Sequence, residues 1–135
     1  MNTFINLCVA DIDRSRAFFT AMGFNFNEQF CTDDTLGMVI SDTCYAMLML
    51  PSKFSTFIPN RSIADATRTT EVLTALGYDS REAVDAAMET ALANGATEFR
   101  PAEDHGFMYG RSFADPDGHV WEPFWFDTSK LEETA

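Results

Sequence analysis

The feature that most constrains this chain is that its secondary-structure pattern restarts halfway along. Residues 3 to 9 alternate, with Ile5, Leu7 and Val9 on one face and Phe4, Asn6 and Cys8 on the other, as a half-buried strand does. Asp11 can then accept hydrogen bonds from the free amides of a helix whose apolar stripe runs through Ala17, Phe18, Ala21 and Met22 and which stops at Gly23. Three short apolar runs follow, 24 to 31, 37 to 41 and 44 to 50, parted by turn-forming stretches at 32–35 and 41–43. From residue 70 the order recurs. A strand over 70 to 77 leads to a helix opened by Asp79 with Glu82 three residues on, striped by Val84, Ala87, Met88 and Ala91 and stopped at Gly95. Strands over 97 to 101, 107 to 114 and 119 to 126 complete the second set. The pattern predicts two βαβββ units in tandem, about 70 residues apart, alike in plan and not in residue identity.

Each such unit covers one face of its sheet with its helix and leaves the other face in need of a partner. A second sheet can meet it, which predicts an α+β fold in which the two units form a curved mixed sheet with a concave trough and the helices outside. A chain of 135 residues is one domain's worth, expected over 1–135 with unit one at 1–50, a connector at 51–68, unit two at 69–126 and a tail at 127–135. The connector carries Pro51, Pro59 and Asn60 beside an apolar Phe54, Phe57 and Ile58 group.

Charge bears on partners more than on fold. The 21 Asp and Glu against 9 Lys and Arg give a net charge of -12, so no basic stripe exists to neutralise phosphates, and neither nucleic acid nor an anionic membrane is an expected partner. The acidity serves solubility first, and it could also draw a cationic ligand into a cleft. No apolar run approaches the ~18 residues of a membrane span, and no basic segment followed by an apolar one opens the chain, so a cytoplasmic location is expected. Cys8, Cys31 and Cys44, odd in number and widely spaced, read as reduced thiols.

Two segments carry a family resemblance. The opening Val9-Ala10-Asp11-Ile12-Asp13-Arg14-Ser15-Arg16-Ala17-Phe18-Phe19 and the closing Phe113-Ala114-Asp115-Pro116-Asp117-Gly118-His119-Val120-Trp121-Glu122, set on the paired βαβββ plan, resemble the vicinal oxygen chelate superfamily of glyoxalase I, bleomycin-resistance proteins and extradiol dioxygenases. The resemblance implies a homodimer and a small organic ligand, and it leaves the reaction open. In the metal-dependent members a divalent ion is held by residues on the first and last strands of each unit, typically His on the first and Glu, Gln or His on the last. Carried over, those positions fall on Phe4 and Met47 in unit one and on Leu73 and Glu122 in unit two, where a slip of two residues would bring Glu71 in place of Leu73. A phenyl ring cannot ligate and a thioether suits hard cations poorly, so only Glu122 matches and no cofactor is expected at the usual place. A divalent metal, if held, would rest on Glu122 with Glu71 or His105.

Alternation assigns the remaining candidates. Phe4, Asn6, Met47 and Met49 should share the trough side of unit one. At 115–118 a type I turn with a Gly118 bulge would set Phe113 opposite Trp121 and Ser112 opposite Glu122, putting Met108, Gly110, Ser112, Val120, Glu122 and Phe124 in the trough. A tight turn without the bulge would set Arg111 opposite Glu122. Ligand-binding candidates are therefore Phe4, Asn6, Met47, Met49, Leu73, Met108, Ser112 and Phe124. The catalytic candidates are Glu122, as a partly desolvated acid or base, and His105 at a strand entrance beside Gly106, with Gly106 and Gly110 admitting close approach of a ligand or backbone. The structural alternatives are that Glu122 pairs with an arginine or points to solvent, and that His105 bonds locally. Two functions stay open: a protein that binds or sequesters an apolar or cationic organic ligand without the usual metal, and a glyoxalase-like lyase or isomerase, or another enzyme, using a displaced divalent metal or Glu122 as acid/base.

Overall fold

The computed structural model describes residues 1–130; residues 131–135, the end of the expected tail, lie outside the described residues. Contacts divide the chain into Met1–Asp65 and Ala66–Ala135.

Unit one runs β1 (Thr3–Cys8), α1 (Ile12–Ala21), β2 (Asn25–Phe26), β3 (Thr35–Ser41), β4 (Cys44–Met49) and a short α2 (Pro51–Phe54). The sheet order is β1-β4-β3-β2, with β1 parallel to β4 and the other pairs antiparallel. Asp11 caps α1 as expected, its carboxylate accepting from the Arg14 amide at 2.9 Å, and Gly23 follows the helix at φ 94°. The buried stripe differs from the expected one: Ser15, Phe18 and Phe19 are buried, whereas Ala17 and Ala21 are exposed. A serine small enough to lie against the sheet extends the i, i+3, i+4 row, and the alanines face outward. Phe18, Phe19, Leu36, Met38, Ala46 and Leu48 form the core between α1 and the sheet, each larger side chain contributing about 1.5–3 kcal/mol.

The expected strand over 24 to 31 shrinks to two residues. The Asn27 side chain accepts from the Gln29 amide at 3.0 Å and starts a 3-10 turn over Glu28–Phe30, so the chain leaves the sheet. That turn packs over Gly37, where a Cβ would come within 2.6 Å of the Phe30 Cβ.

Unit two runs β5 (Leu73–Gly77), α3 (Arg81–Ala93), β6 (Thr97–Asp104), β7 (Met108–Ala114) and β8 (Val120–Phe126), in the order β5-β8-β7-β6 with β5 parallel to β8. Val84, Ala87, Met88 and Ala91 are buried on α3 as expected, and Phe113, Trp121 and Pro123 are buried in the sheet. The cap is Ser80 rather than Asp79: the Ser80 hydroxyl accepts from the Ala83 amide at 3.0 Å. β5 starts three residues later than expected, and β6 continues to Asp104 through two register shifts.

The hairpin at 115–118 takes the bulged register. Phe113 pairs with Trp121 and Ala114 with Val120, and Gly118 has φ 94°, so Arg111 does not oppose Glu122. Asp115 organises the turn: one carboxylate oxygen accepts from the amides of Asp117 and His119 at 2.9 and 3.0 Å, and the other from the Trp121 indole at 2.9 Å. Burial pushes this carboxyl up, against the lowering effect of the indole bond.

Both units thus have the strand, helix and three-strand order, as two open four-stranded mixed sheets of an α+β fold. Among the described residues no helix is long and apolar enough to cross a membrane. None of the three cysteines is in a disulfide.

Candidate functional site

Register decides which side chains share a face. In unit one, Phe4 pairs with Tyr45, Asn6 with Met47 and Cys8 with Met49, so Phe4, Asn6, Met47 and Met49 lie on the face opposite the core beneath α1. There the Phe4 ring, 46% exposed, stacks on Tyr45 with centroids 4.9 Å apart and planes 12° apart, and meets the edge of Phe30 at 6.0 Å. Tyr45 and Phe30 were missed in the sequence. Alternation through Met47 would have found Tyr45; Phe30 reaches the cluster from the 3-10 turn, for which periodicity gives no signal.

In unit two, Leu73 pairs with Val120, Ala75 with Glu122 and Gly77 with Phe124, while Gly110 pairs with Phe124 and Met108 with Phe126. Leu73, Met108, Ser112, Glu122 and Phe124 therefore share the face opposite α3. The other face is fixed by Asp85 on α3, which accepts from the Tyr109 hydroxyl at 2.6 Å and from Arg111 at 2.9 Å; Arg111 also bonds Glu98 at 2.9 Å. Donation to the Asp85 carboxylate pushes the Tyr109 hydroxyl up, and Glu98 together with the Tyr109 and Asp85 hydrogen bonds does the same for the Arg111 guanidinium.

The two units are equivalent at the positions the family resemblance picked out. Met47 stands two residues beyond the partner of Phe4 on β4, and Glu122 stands two residues beyond the partner of Leu73 on β8. The side chains at these positions are a phenyl ring, a thioether, an isobutyl group and one carboxylate. That carboxylate is engaged: Glu122 Oε2 accepts from Arg100 Nη2 at 2.5 Å, with the Glu122 side chain 17% exposed. The structure thus takes the alternative in which Glu122 pairs with an arginine. Arg100 reaches it because β6 shifts register between Glu98 and Arg100, which sets Arg100 beside Ser112 on the Glu122 face. A bulge of this kind leaves no mark in the sequence.

His105 lies elsewhere. It occupies the β6–β7 loop with its side chain 55% exposed, donates its amide to the Met108 carbonyl at 2.8 Å, and has Nε2 3.9 Å from Glu103. Glu122 opposes Ser112, four residues or roughly 13 Å along β7 from Met108, and His105 is farther on. Glu71 is exposed and precedes β5. The geometry therefore does not bring Glu122 together with His105, nor does it put Glu71 in the sheet. Among the described residues no three His, Cys, Asp or Glu side chains are placed to hold an ion. On donor chemistry the four positions do not fit a divalent metal. No neighbouring backbone approaches either glycine: Gly106 takes φ 79° with open space around it, and a Cβ on Gly110 would make an ordinary 3.8 Å contact with Phe124.

A separate open cleft of about 460 Å³ in unit one is bordered by Asp11, Asp13, Arg16 and Asp33. Two of its polar groups have structural work, Asp11 capping α1 and Arg16 bonding Glu28 at 2.7 Å.

Unit one offers an aromatic and thioether face, and unit two a face that carries the polar group of Arg100, Ser112 and Glu122. The fold is shared with solved structures. A hypothetical protein from S. aureus is 25% identical, with a TM-score of 0.78 and coverage of 90% of this chain and 91% of that one. A glyoxalase-related enzyme from Fulvimarina pelagi is 20% identical, with a TM-score of 0.78 over 93% and 87%. A glyoxalase/bleomycin resistance protein/dioxygenase family enzyme from Burkholderia phytofirmans is 19% identical, with a TM-score of 0.76 over 91% and 96%. No curated protein matches. The chain carries the fold of the vicinal oxygen chelate superfamily. Within it, residues 2–41 match the family described as bleomycin resistance protein-like N-terminal.

Proposed function

We propose that this protein binds a small, apolar organic molecule on the sheet faces opposite its helices, without the divalent metal of the metal-dependent members it resembles. The observation that carries this reading is the set of side chains at the four equivalent positions: Phe4, Met47 and Leu73 bring no ligand atom suited to a hard cation, and Glu122 is bound by Arg100. The same ion pair turns the reading away from the cationic ligand that net charge suggested, because the carboxylate that would anchor it is already neutralised. It also takes support from the enzyme alternative, in which Glu122 would act as a free acid or base. Phe4 stacked on Tyr45, with Met47 two residues further along β4, suits a flat ligand.

The test uses a panel of matched flat aromatic probes and metal analysis of protein purified without chelator. Binding of an uncharged aromatic alcohol should weaken roughly 3- to 10-fold in Phe4→Ala, the value of one aromatic contact. Unchanged binding in Phe4→Ala would refute the face of unit one as a site, and unchanged binding in Glu122→Ala would refute that of unit two. A stoichiometric transition metal that disappears in Glu122→Gln would overturn the metal-free reading.

The homodimer and the cytoplasmic location belong to the same reading. Exposed Val72, Phe99 and Phe107 leave apolar surface for a second copy, and thiols outside any disulfide agree with a reducing compartment. Sedimentation at the mass of a single chain would remove the dimer.

A further inference from the structure

Among the described residues, three buried side-chain donors in unit two have no hydrogen-bond partner, Arg100 Nε, Arg111 Nε and Ser112 Oγ; Arg111 lies on the α3 side with Asp85 and Glu98, whereas Arg100 and Ser112 share the opposite face. Ser112 is 0% exposed, beside the buried Phe113 on β7. Buried polar groups in folded proteins are paired as a rule, so two orphans on adjacent strands call for an explanation. Arg100 and Ser112 are direct cross-strand partners on one face, which puts their Cβ atoms about 5 Å apart, and Glu122 is the next strand's residue on the same row. The bond to Glu122 uses one of the five donors of the guanidinium, leaving the Nε edge for a second acceptor.

We propose that Arg100 and Ser112 form an oxygen-binding point, and that the ligand of this protein carries a carboxylate. Building on the apolar-ligand reading above, it adds the polar group by which that ligand is oriented. One carboxylate oxygen would accept from Arg100 Nε and Ser112 Oγ, and the apolar body would lie along Leu73 and Phe124 on the same face. The donors select the class: a cationic N–H and a hydroxyl together favour an ionised oxygen over a neutral one, and the guanidinium repels an ammonium group even though the hydroxyl could accept from it. The net charge of -12 does not decide this. Screening at physiological salt acts over about 8 Å, so the nearest groups dominate, and Arg100 offsets Glu122 there. Glu103, which faces Gly110, lies two residues farther along β7 than Ser112.

Three matched probes test the proposal on the full chain by calorimetric titration: 2-naphthoate, 2-naphthylmethanol and 2-naphthylmethylamine. Naphthoate should bind tightest. Ser112→Ala and Arg100→Lys should each weaken naphthoate about tenfold while changing the alcohol by less than about twofold. Ser112→Ala should melt no lower than the parent, because it removes a hydroxyl that has no partner, so a loss of binding there is not a loss of fold. Equal affinity for the three probes, or naphthoate binding unchanged in both variants, would overturn the proposal. Binding of the alcohol or amine without the carboxylate would sink this inference and leave the apolar site standing. Failure of all three probes would sink both.

Discussion

Asp115 shows how one carboxylate can hold a hairpin. Its two oxygens take three donors, the amides of Asp117 and His119 and the Trp121 indole, and all three lie within six residues of it. An asparagine keeps one oxygen for the amides and turns an NH2 toward the indole N–H, donor against donor. Asp115→Asn should therefore destabilise the protein by about 1–3 kcal/mol, and Asp115→Ala by at least as much, measured by denaturant unfolding. A stability within 0.5 kcal/mol of the parent, an order-of-magnitude limit for an ordinary surface change, would show that the turn holds without the carboxylate. Glu122 has a different standing, since its partner is a single arginine rather than the backbone. The chemistry of both acids was hidden in the sequence for the same reason: a carboxylate's role depends on which donors the fold brings to it.

The hairpin that Asp115 closes also has the clearest glycine requirement. Gly118 has φ 94°, and a Cβ on it would lie 2.8 Å from the backbone of Ala66 and Thr67, which cannot move aside as a flexible side chain would. Gly106 also has positive φ, 79°, with open space around it. Gly118→Ala should cost clearly more than Gly106→Ala, whose penalty is the left-handed backbone alone at about 1–2 kcal/mol. Equal losses in thermal melts of the two variants would show that the 66–67 segment yields. Turn chemistry of this kind was readable: Asp-Pro-Asp-Gly signalled the bulged register, and the stripe of α3 was written in Val84, Ala87, Met88 and Ala91. The strand over 24 to 31 was not readable, because Asn27 looks the same whether it continues a strand or caps a 3-10 turn. Faces of strands followed from alternation, which placed Phe4 with Met47 and Ser112 with Glu122. Arg100 escaped because the bulges in β6 break the period of two on which such reasoning depends.

The repeat preserves backbone and lets side chains diverge. β1 pairs with β4, and β5 with β8, in the same parallel arrangement, yet one unit presents Phe4, Tyr45 and Phe30 and the other Arg100, Ser112 and Glu122. Across the chain, charge follows a simpler rule. With 21 carboxylates against 9 Lys and Arg, the chain carries a net charge of -12 even when every cation is paired. Salt has two opposed effects on such a protein. It weakens ion pairs such as Arg16 with Glu28 and Arg81 with Asp104, and it screens the repulsion among the excess acids. Exposed pairs of this type are each worth about 0–1 kcal/mol, and both of these have side chains more than a third exposed. The repulsion, by contrast, involves every unpaired carboxylate at once and is relieved when the chain expands. Screening should win. The melting temperature at neutral pH should rise by about 3–6 °C between low salt and ~0.3 M sodium chloride, a gain of roughly 1 kcal/mol for a chain of this size. Chloride is the right anion for this, since sulfate would also strengthen apolar burial. A melting temperature that falls with sodium chloride would mean that the ion pairs outweigh the excess charge.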